Sequence, residues 1–473
     1  MEGTRDPLVE LDLRDQMKRQ KPSHLRSAIA LLVLFASVSI CSSALAYSGK
    51  VVDASTHAPL ADAIVTLGDL TARTNRDGIF EINGPGDSIG FRAYGYMRES
   101  LPASGFTIGR RDVALTAFQP KALYLSFYGI GSSKLREAAL GLIDTTQLNA
   151  VVVDIKSDRG MIPYKTSLAL AEEIGAERII TIADARNLLE GLHREHLYVI
   201  ARIVVFKDDL LSKARPDLAV KRSSGAIFKD REDSGWTDAF SKDAWNYNIA
   251  IAVEAASLGF DEIQFDYVRF PDEPGLVFSM PNTLENRLAA VTGFLEEAHK
   301  RLVPYNVFLA ADIFGYVMWG LDDTHIGQRL QELSSVVDYI SPMLYPSCFQ
   351  FGIPGYRLPV AHPYEIVFNS LQEAHERTGI APIRVRPWLQ AFRDYAFDRR
   401  LFGGSEIKAQ IAAAEDFGTD GWMLWNPQNI YSPAGLESDP AACVDARITS
   451  TEQCACMATA SETLPSISLS IPR

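Results

Sequence analysis

Eight apolar, strand-like runs alternate with amphipathic helical stretches from Lys121 onward, and no other feature restricts the fold of this chain as strongly. A repeated strand–helix pattern is typical of a parallel sheet covered by helices, and eight such units predict a (β/α)8 barrel, an α/β fold. A doubly wound open sheet is the alternative, but no G-x-G-x-x-G follows the first run to favour it. The eight runs are Ala122–Ile130, Ala150–Lys156, Tyr198–Phe206, Glu262–Phe270, Val307–Gly315, Tyr339–Pro346, Arg384–Phe392 and Gly421–Pro427.

The segment before the predicted barrel has a different pattern. Residues 47–119 contain short runs with strand alternation, such as "AIVTLG" and "SIGFRAYGY", and turn residues separate them, as in "NGPGD". This pattern predicts a small all-β sandwich. The order "GKVVDASTHAPLADAIVTL" and then "TNRDGIFEI" resembles the carboxypeptidase-regulatory-like domain, a transthyretin-like sandwich. That resemblance implies an appended structural or binding unit, with the barrel following at residues 120–435.

The N-terminus reads as a targeting segment. Basic residues precede an apolar run, Ala28–Ile40, and Ala44 and Ala46 then follow in A-x-A spacing. We therefore expect residues 1–46 to be a signal peptide that is cleaved after Ala46, and the protein to be periplasmic or secreted. The alternative is an uncleaved signal anchor that holds the protein on the inner membrane, facing outward.

Net charge and the C-terminal tail add two expectations. A formal net charge of −13 disfavours a nucleic-acid partner, because a broad basic surface is needed to meet phosphates. Residues 436–473 carry three of the five cysteines. In an oxidising compartment we expect one disulfide there, from Cys443 to Cys454 or Cys456.

The stretch "GFDEIQFDYVRFPD" predicts where a site would lie. Strand alternation places Ile263, Phe265 and Tyr267 on the outer face of the barrel and Asp266 on the inner face, near the strand's carboxyl end. Active sites of such barrels lie at that end. Pro271 then ends the run, because proline cannot continue a strand ladder. Asp266 is therefore expected in the mouth of the barrel.

Two further aspartates end neighbouring runs. Asp312 closes the fifth and Asp154 lies near the end of the second. Asp266 and Asp312 are the predicted catalytic pair of a glycoside hydrolase, and Asp154 is a third acid or a transition-state stabiliser. The sequence leaves both stereochemical outcomes open, since carboxyl separations of about 5–5.5 Å (retaining) and about 6.5–9.5 Å (inverting) are compatible with adjacent strands.

Polar and aromatic residues near the other strand ends are candidates for holding sugar hydroxyls and stacking on sugar rings. The alternatives are a structural ion pair for Arg202 and core packing for the two tryptophans. No cofactor is expected, and no metal, because no histidine ends any of the eight runs. The predicted substrate-binding residues are Lys156, Arg202, Arg269, Tyr345, Trp388, Gln390, Trp425 and Asn426.

Six motifs in order resemble glycoside hydrolases of the DUF4015 type: "NAVVVDIKSDRG", "VIARIVVFKDDLL", "GFDEIQFDYVRFPD", "LAADIFGY", "YISPMLYPS" and "GWMLWNP". The resemblance implies a (β/α)8 barrel related to α-amylase-like hydrolases. By that analogy Asp266 is the nucleophile and Asp312 the acid. The chain departs from amylases in having Asp312 where they carry glutamate, and Gln390 where they carry a third acid.

Together these features predict an exported glycoside hydrolase that acts on an envelope or extracellular polysaccharide. The alternative is a barrel that binds carbohydrate without cleaving it. The long polar segment from Asp208 to Trp245 follows the third run on the site face, so we expect it to shape the substrate groove.

Overall fold

The computed structural model describes residues 46–106 and 111–438. The predicted signal segment and the predicted tail disulfide both lie outside these residues, apart from Ala46. No helix within the described ranges has the length and apolar character that a membrane span requires.

An all-β region comes first, as predicted. It forms two sheets, with strand orders β4-β1-β7 and β3-β2-β5-β6. Phe80, Phe91 and Phe106 pack together in the core between them, with ring centroids 5.3–5.9 Å apart. Its strands are β1 (Ala46–Asp53), β2 (Ile64–Leu67), β3 (Leu70–Arg73), β4 (Ile79–Asn83), β5 (Ser88–Arg92), β6 (Glu99–Pro102) and β7 (Arg111–Leu115).

Eight parallel strands then close into a barrel, which confirms the predicted fold. Each strand pairs with the next in the chain, and the last pairs with the first. They are β8 (Lys121–Leu125), β9 (Ala150–Lys156), β10 (Tyr198–Val204), β12 (Glu262–Asp266), β14 (Phe308–Phe314), β15 (Tyr339–Met343), β16 (Trp388–Gln390) and β17 (Trp422–Trp425). Two short strands, β11 (Lys221–Arg222) and β13 (Leu276–Val277), form a ribbon between the loops that follow β10 and β12.

Helices cover the outside of the barrel, and their ends carry the expected caps. Ser132 and Thr283 accept backbone N–H bonds at helix starts, whereas Gly379 and Gly418 end helices at positive φ. The helices are α1 (Phe127–Gly131), α2 (Ser133–Ile143), α3 (Ala169–Glu173), α4 (Ala185–Arg194), α5 (Asp209–Ala214), α6 (Lys242–Leu258), α7 (Leu284–Leu302), α8 (Leu330–Val336), α9 (Pro363–Thr378) and α10 (Gly404–Phe417).

Strand β12 shows how alternation divides the barrel wall. Phe265 points outward and packs against Phe294 of α7, with ring centroids 5.0 Å apart. Glu262, Gln264 and Asp266 point inward and reach polar partners on β10 and β15. The inner face of one strand therefore supplies a carboxylate at each end of the barrel.

The all-β region docks on the end of the barrel at which the strands begin. Arg98 donates to the carbonyls of Gly259 and Phe260 at 3.1 Å and to Asp261 at 3.2 Å, just before β12. Asn306, just before β14, donates to the Glu99 carbonyl at 2.9 Å. The loops that build the site lie at the opposite end of the barrel, where the strands finish.

Candidate active site

A cavity of about 870 Å³ opens at the carboxyl ends of the barrel strands. Tyr124, Asp154, Arg202 and Asp266 line it, and they come from four consecutive strands, β8, β9, β10 and β12. Its volume lies within the range of small-molecule sites, about 300–1,000 Å³. The aromatic part of the lining consists of Tyr124, Phe127, Tyr128, Tyr267, Tyr345, Trp388, Phe392, Tyr395 and Trp425.

Arg202 joins two of the predicted catalytic carboxylates. Its Nη1 donates to Asp154 Oδ1 at 2.6 Å, and its Nε donates to Asp266 Oδ2 at 3.1 Å. The Nη2 of Arg202 also donates to Asp266 Oδ2. Burial opposes the charge of the guanidinium, but Asp266 and Asp154 hold the pKa of Arg202 well above its ordinary value. A fixed positive charge therefore lies between two acids.

Asp154 is a buried carboxyl group that lines the cavity and has a raised pKa. Burial raises its pKa, and the charge of Arg202 and the hydrogen bond from Tyr124 partly oppose that effect. The Tyr124 hydroxyl donates to Asp154 Oδ2 at 2.6 Å, and the Phe127 N–H reaches the same oxygen at 3.3 Å. A buried carboxyl of raised pKa that faces a cavity has the properties of a general acid.

Asp266 is oriented by a strained backbone. Its Oδ1 accepts the N–H of Tyr267 at 2.6 Å, and Tyr267 has a φ of 48°, an uncommon conformation for a residue with a side chain. Such conformations concentrate at functional sites. The turn also brings the Tyr267 ring to the cavity, whereas strand alternation had predicted that it faces outward.

Asp312 lies near these groups but does not line the cavity. Its Oδ1 accepts from Trp388 Nε1 at 2.8 Å, and its Oδ2 is 3.9 Å from Arg202 Nε, without a hydrogen-bond partner among the described residues. Burial and the negative charge of Asp266 raise the pKa of Asp312 well above its usual range. Asp312 thus contacts two lining residues, Trp388 and Arg202, on the side away from the cavity. Its predicted role as the catalytic acid stays a prediction.

Aromatic rings enclose the carboxylates. The Tyr124 and Trp425 rings stack, with centroids 3.9 Å apart, and Trp388 stands perpendicular to Trp425 at 5.4 Å. The Arg202 guanidinium lies 4.9 Å from the Trp425 ring centre. Tyr345 completes this wall. The arrangement presents apolar faces beside charged groups, which suits sugar rings with their C–H faces and hydroxyl edges.

The structure does not bring Lys156 to the cavity, contrary to the sequence prediction. A register irregularity between β9 and β10 interrupts the alternation beyond Asp154, and bulges of this kind re-aim side chains. Lys156 is fully buried, pairs with Asp208 at 2.8 Å and donates to the Val204 carbonyl at 2.6 Å. Its ammonium therefore has structural partners.

Three other predicted substrate-binding residues also lie outside the cavity lining. Gln390 donates to Ser347 Oγ at 2.7 Å, and Asn426 donates to the Ala391 carbonyl at 2.8 Å, so both amides hold loops. Arg269 donates to the Phe270 carbonyl at 3.0 Å, and its guanidinium lies 5.0 Å from the Tyr267 ring centre. Arg269 therefore supports a lining residue from outside.

Sequence reasoning missed Tyr124 and Glu232. Tyr124 lies two residues after inward-facing Ala122, near the carboxyl end of β8, so alternation carried a signal for it. Glu232 lines the cavity from the loop between β11 and α6 and accepts from Lys207 Nζ at 2.6 Å. The prediction that this loop shapes the groove agrees with that position, but the sequence did not single out the residue.

The described part of the chain contains no cluster of three or more His, Cys, Asp or Glu side chains that could hold a metal ion.

Comparison with known sequences assigns the chain to a family. The DUF4015 family, described as "Putative glycosyl hydrolase domain", matches residues 122–431, well over half of the chain. The chain belongs to this family, and its enzyme class is that of the glycoside hydrolases. Both the predicted family and the predicted class are confirmed. No curated protein sequence matches the chain.

Several solved structures are similar to part of this chain. A hypothetical protein from Ruminiclostridium thermocellum is 37% identical over 40% of this chain and 96% of its own, with a TM-score of 0.36. The PgaB (BpsB) glycoside hydrolase domain from Bordetella bronchiseptica is 15% identical over 71% of this chain and 100% of its own, with a TM-score of 0.49. The spore cortex-lytic enzyme SleL from Bacillus megaterium is 12% identical over 72% of this chain and 74% of its own, with a TM-score of 0.40.

Proposed function

We propose that this glycoside hydrolase is exported and cleaves an envelope or extracellular polysaccharide in the barrel cavity, with Asp266 and Asp154 as the reacting carboxylates. The observation that carries the proposal is the pair itself. Two buried carboxyl groups line one aromatic cavity, and a single arginine holds them in place. Glycosidases use two carboxyl groups beside the scissile bond.

The two acids have environments that suit different roles. Asp154 has a pKa raised by burial and faces the cavity, so it is the proposed acid that protonates the leaving oxygen. Asp266 accepts bonds from Arg202 and from the Tyr267 N–H, which stabilise its negative charge. It is the proposed nucleophile or base, and its charge also stabilises an oxocarbenium-like transition state.

Asp312 is assigned a supporting position in this scheme rather than the acid role. A general acid must reach the leaving oxygen through a hydrogen bond, and Asp312 contacts Trp388 instead of lining the cavity. Its negative charge is disfavoured so close to Asp266. Asp312 is therefore proposed to fix the Trp388 ring while it remains neutral.

The proposal that the protein is exported rests on the sequence. The basic segment, the apolar run and the A-x-A spacing before Tyr47 are the features of a signal peptide. N-terminal sequencing of the protein recovered outside the cytoplasm should find Tyr47 first. A chain that begins at Met1 and fractionates with membranes would favour the anchor instead.

Catalysis is tested by reducing-end release from a panel of soluble bacterial exopolysaccharides, chitosan and glycol chitin. Asp266→Asn should lower the rate on the best substrate about 10³-fold or more, a barrier increase of roughly 4 kcal/mol. Asp158→Asn, which alters another carboxylate of the cavity lining, is the matched control and should cost less than about tenfold. A parent protein that binds a polymer but releases no reducing ends would favour the non-catalytic carbohydrate-binding barrel.

A further inference from the structure

Two exposed aromatic rings and one partly buried ring lie near one another at the end of β14 and on the loops that follow β14 and β15. Phe314 is 37% exposed and Phe351 is 81% exposed. Tyr316 lies between them, with ring centroids 5.8 Å from Phe314 and 6.3 Å from Phe351. We refer to Phe314, Tyr316 and Phe351 as the aromatic track.

The loop that carries Phe351 is held in place by hydrogen bonds. The Tyr316 hydroxyl accepts from the Phe351 N–H at 3.0 Å and donates to the Gly352 carbonyl at 3.2 Å. Phe349, two residues earlier, is buried and packs on Tyr316 with a centroid distance of 4.9 Å. The 81% exposed Phe351 ring is thus presented to solvent by a loop that hydrogen bonds hold in place.

The aromatic track is continuous with the cavity along both loops. Phe314 is paired with Met343 in the β14–β15 register, and Met343 lines the cavity. Cys348 also lines the cavity and lies three residues before Phe351. A chain that leaves the cavity on this side therefore meets the aromatic track first.

We propose that the aromatic track binds a linear, β-linked polysaccharide of gluco-configured pyranose rings where it extends beyond the cavity. This inference rests on the proposed function and defines its substrate class. Such rings carry equatorial hydroxyls, so both of their faces present C–H groups that stack on aromatic side chains, while the hydroxyl edges remain in water. The three rings follow one another outward from Phe314, which is paired with the lining residue Met343, and such a row fits an extended sugar chain. Equatorial β-linkages keep successive sugar rings in one flat, extended row, whereas axial α-linkages turn the chain.

Affinity electrophoresis of the full chain tests binding directly. Gels contain glycol chitin or hydroxyethyl cellulose, both β-linked, or α-linked dextran as the negative probe. At least one β-linked polymer should retard the parent protein, and dextran should not. Phe351→Ala should weaken the apparent affinity about fivefold or more, the size expected of one lost aromatic contact. Phe351→Trp should preserve it, and Leu70→Ala, an exposed apolar residue of β3, should behave as the parent does.

Several outcomes would overturn the aromatic track. The first is that Phe351→Ala and the parent are retarded equally. The second is that neither β-linked polymer retards the parent. The third is that Phe351→Ala binds phosphatidylglycerol vesicles more weakly than the parent does but binds the polymers equally well. Reducing-end release by the parent, measured in parallel, separates this inference from the proposed function. If Phe351→Ala loses retardation and the parent is retarded but releases no reducing ends, the aromatic track is supported and hydrolysis is refuted. If the parent releases reducing ends and Phe351→Ala is retarded as strongly as the parent, hydrolysis is supported and the aromatic track is refuted.

Discussion

Two arginine-centred clusters occupy opposite ends of the same barrel interior. At the end covered by the all-β region, Arg386 donates to Glu262 at 2.6 Å and to Asp420 at 3.0 Å. At the other end, Arg202 donates to Asp154 and Asp266. Strand β12 contributes to both clusters, with Glu262 as its first residue and Asp266 as its last.

The two clusters differ in what surrounds them rather than in their chemical groups. Arg386, Glu262 and Asp420 are each at most 1% exposed, on the side where the all-β region docks. Asp154, Arg202 and Asp266 are 3–5% exposed and line an open cavity. An arginine with two carboxylates therefore stabilises the barrel at the end where its strands begin, and a cluster of the same kind is proposed to serve chemistry at the end where they finish.

The largest effect on stability should come from Arg386. Arg386→Met leaves Glu262 and Asp420 buried without their cation, and breaking a buried ion pair on one side costs about 3–5 kcal/mol. Urea unfolding measures the loss. The loss of unfolding free energy should be larger at higher pH. Burial raises the pKa of Glu262 and of Asp420, so the two carboxyl groups are neutral, and need no cation, only at lower pH. The surface variant Arg215→Met should keep the unfolding free energy close to that of the parent, because exposed ion pairs contribute little.

Tyr124 offers a smaller effect, on the pH profile. Tyr124→Phe removes a hydrogen bond that lowers the pKa of Asp154, so that pKa should rise further. The alkaline limb of kcat/KM, which reports the proposed acid, should move to higher pH. Tyr128→Phe, at an exposed position of the cavity lining, is the control. An unshifted alkaline limb would remove Asp154 from the acid role.

Asp312 should show the smallest effect on activity. Asp312→Asn keeps an acceptor for Trp388 and removes a carboxyl whose pKa is raised by burial and by Asp266, so kcat/KM should fall less than about tenfold. Because the folded pKa exceeds the unfolded one, the parent loses stability as pH rises between them. The unfolding free energy of Asp312→Asn, relative to that of the parent, should therefore increase as pH increases. A loss of about 10³-fold would instead restore Asp312 as the acid of the original pair.

The sequence predicted elements well where the pattern is regular. Strand β9 begins and ends where the alternation indicated. Strand β16 is only three residues long, whereas a nine-residue run was predicted. A 3-10 turn at Pro382–Arg384 and Pro387 shorten it, because proline cannot donate to a ladder.

The position of a site side chain was predictable where it follows strand alternation and was not predictable where it departs from it. Asp154, Arg202 and Asp266 meet because each faces inward near a strand end. Lys156 is turned away by the irregularity after Asp154. The hydrogen bonds of Gln390 and Asn426 to nearby loops are long-range or irregular contacts that no periodic pattern encodes.

The central claim is that the two carboxylates of strand β12 have separate functions, and measuring both kcat/KM and urea unfolding for Asp266→Asn and Glu262→Gln tests it most directly. Asp266→Asn should lose about 10³-fold or more in kcat/KM while it remains cooperatively folded. Glu262→Gln should lose about 1–3 kcal/mol of unfolding free energy and keep kcat/KM within about threefold for the folded fraction. Near-parent activity in Asp266→Asn, or a stable but inactive Glu262→Gln, would contradict this division.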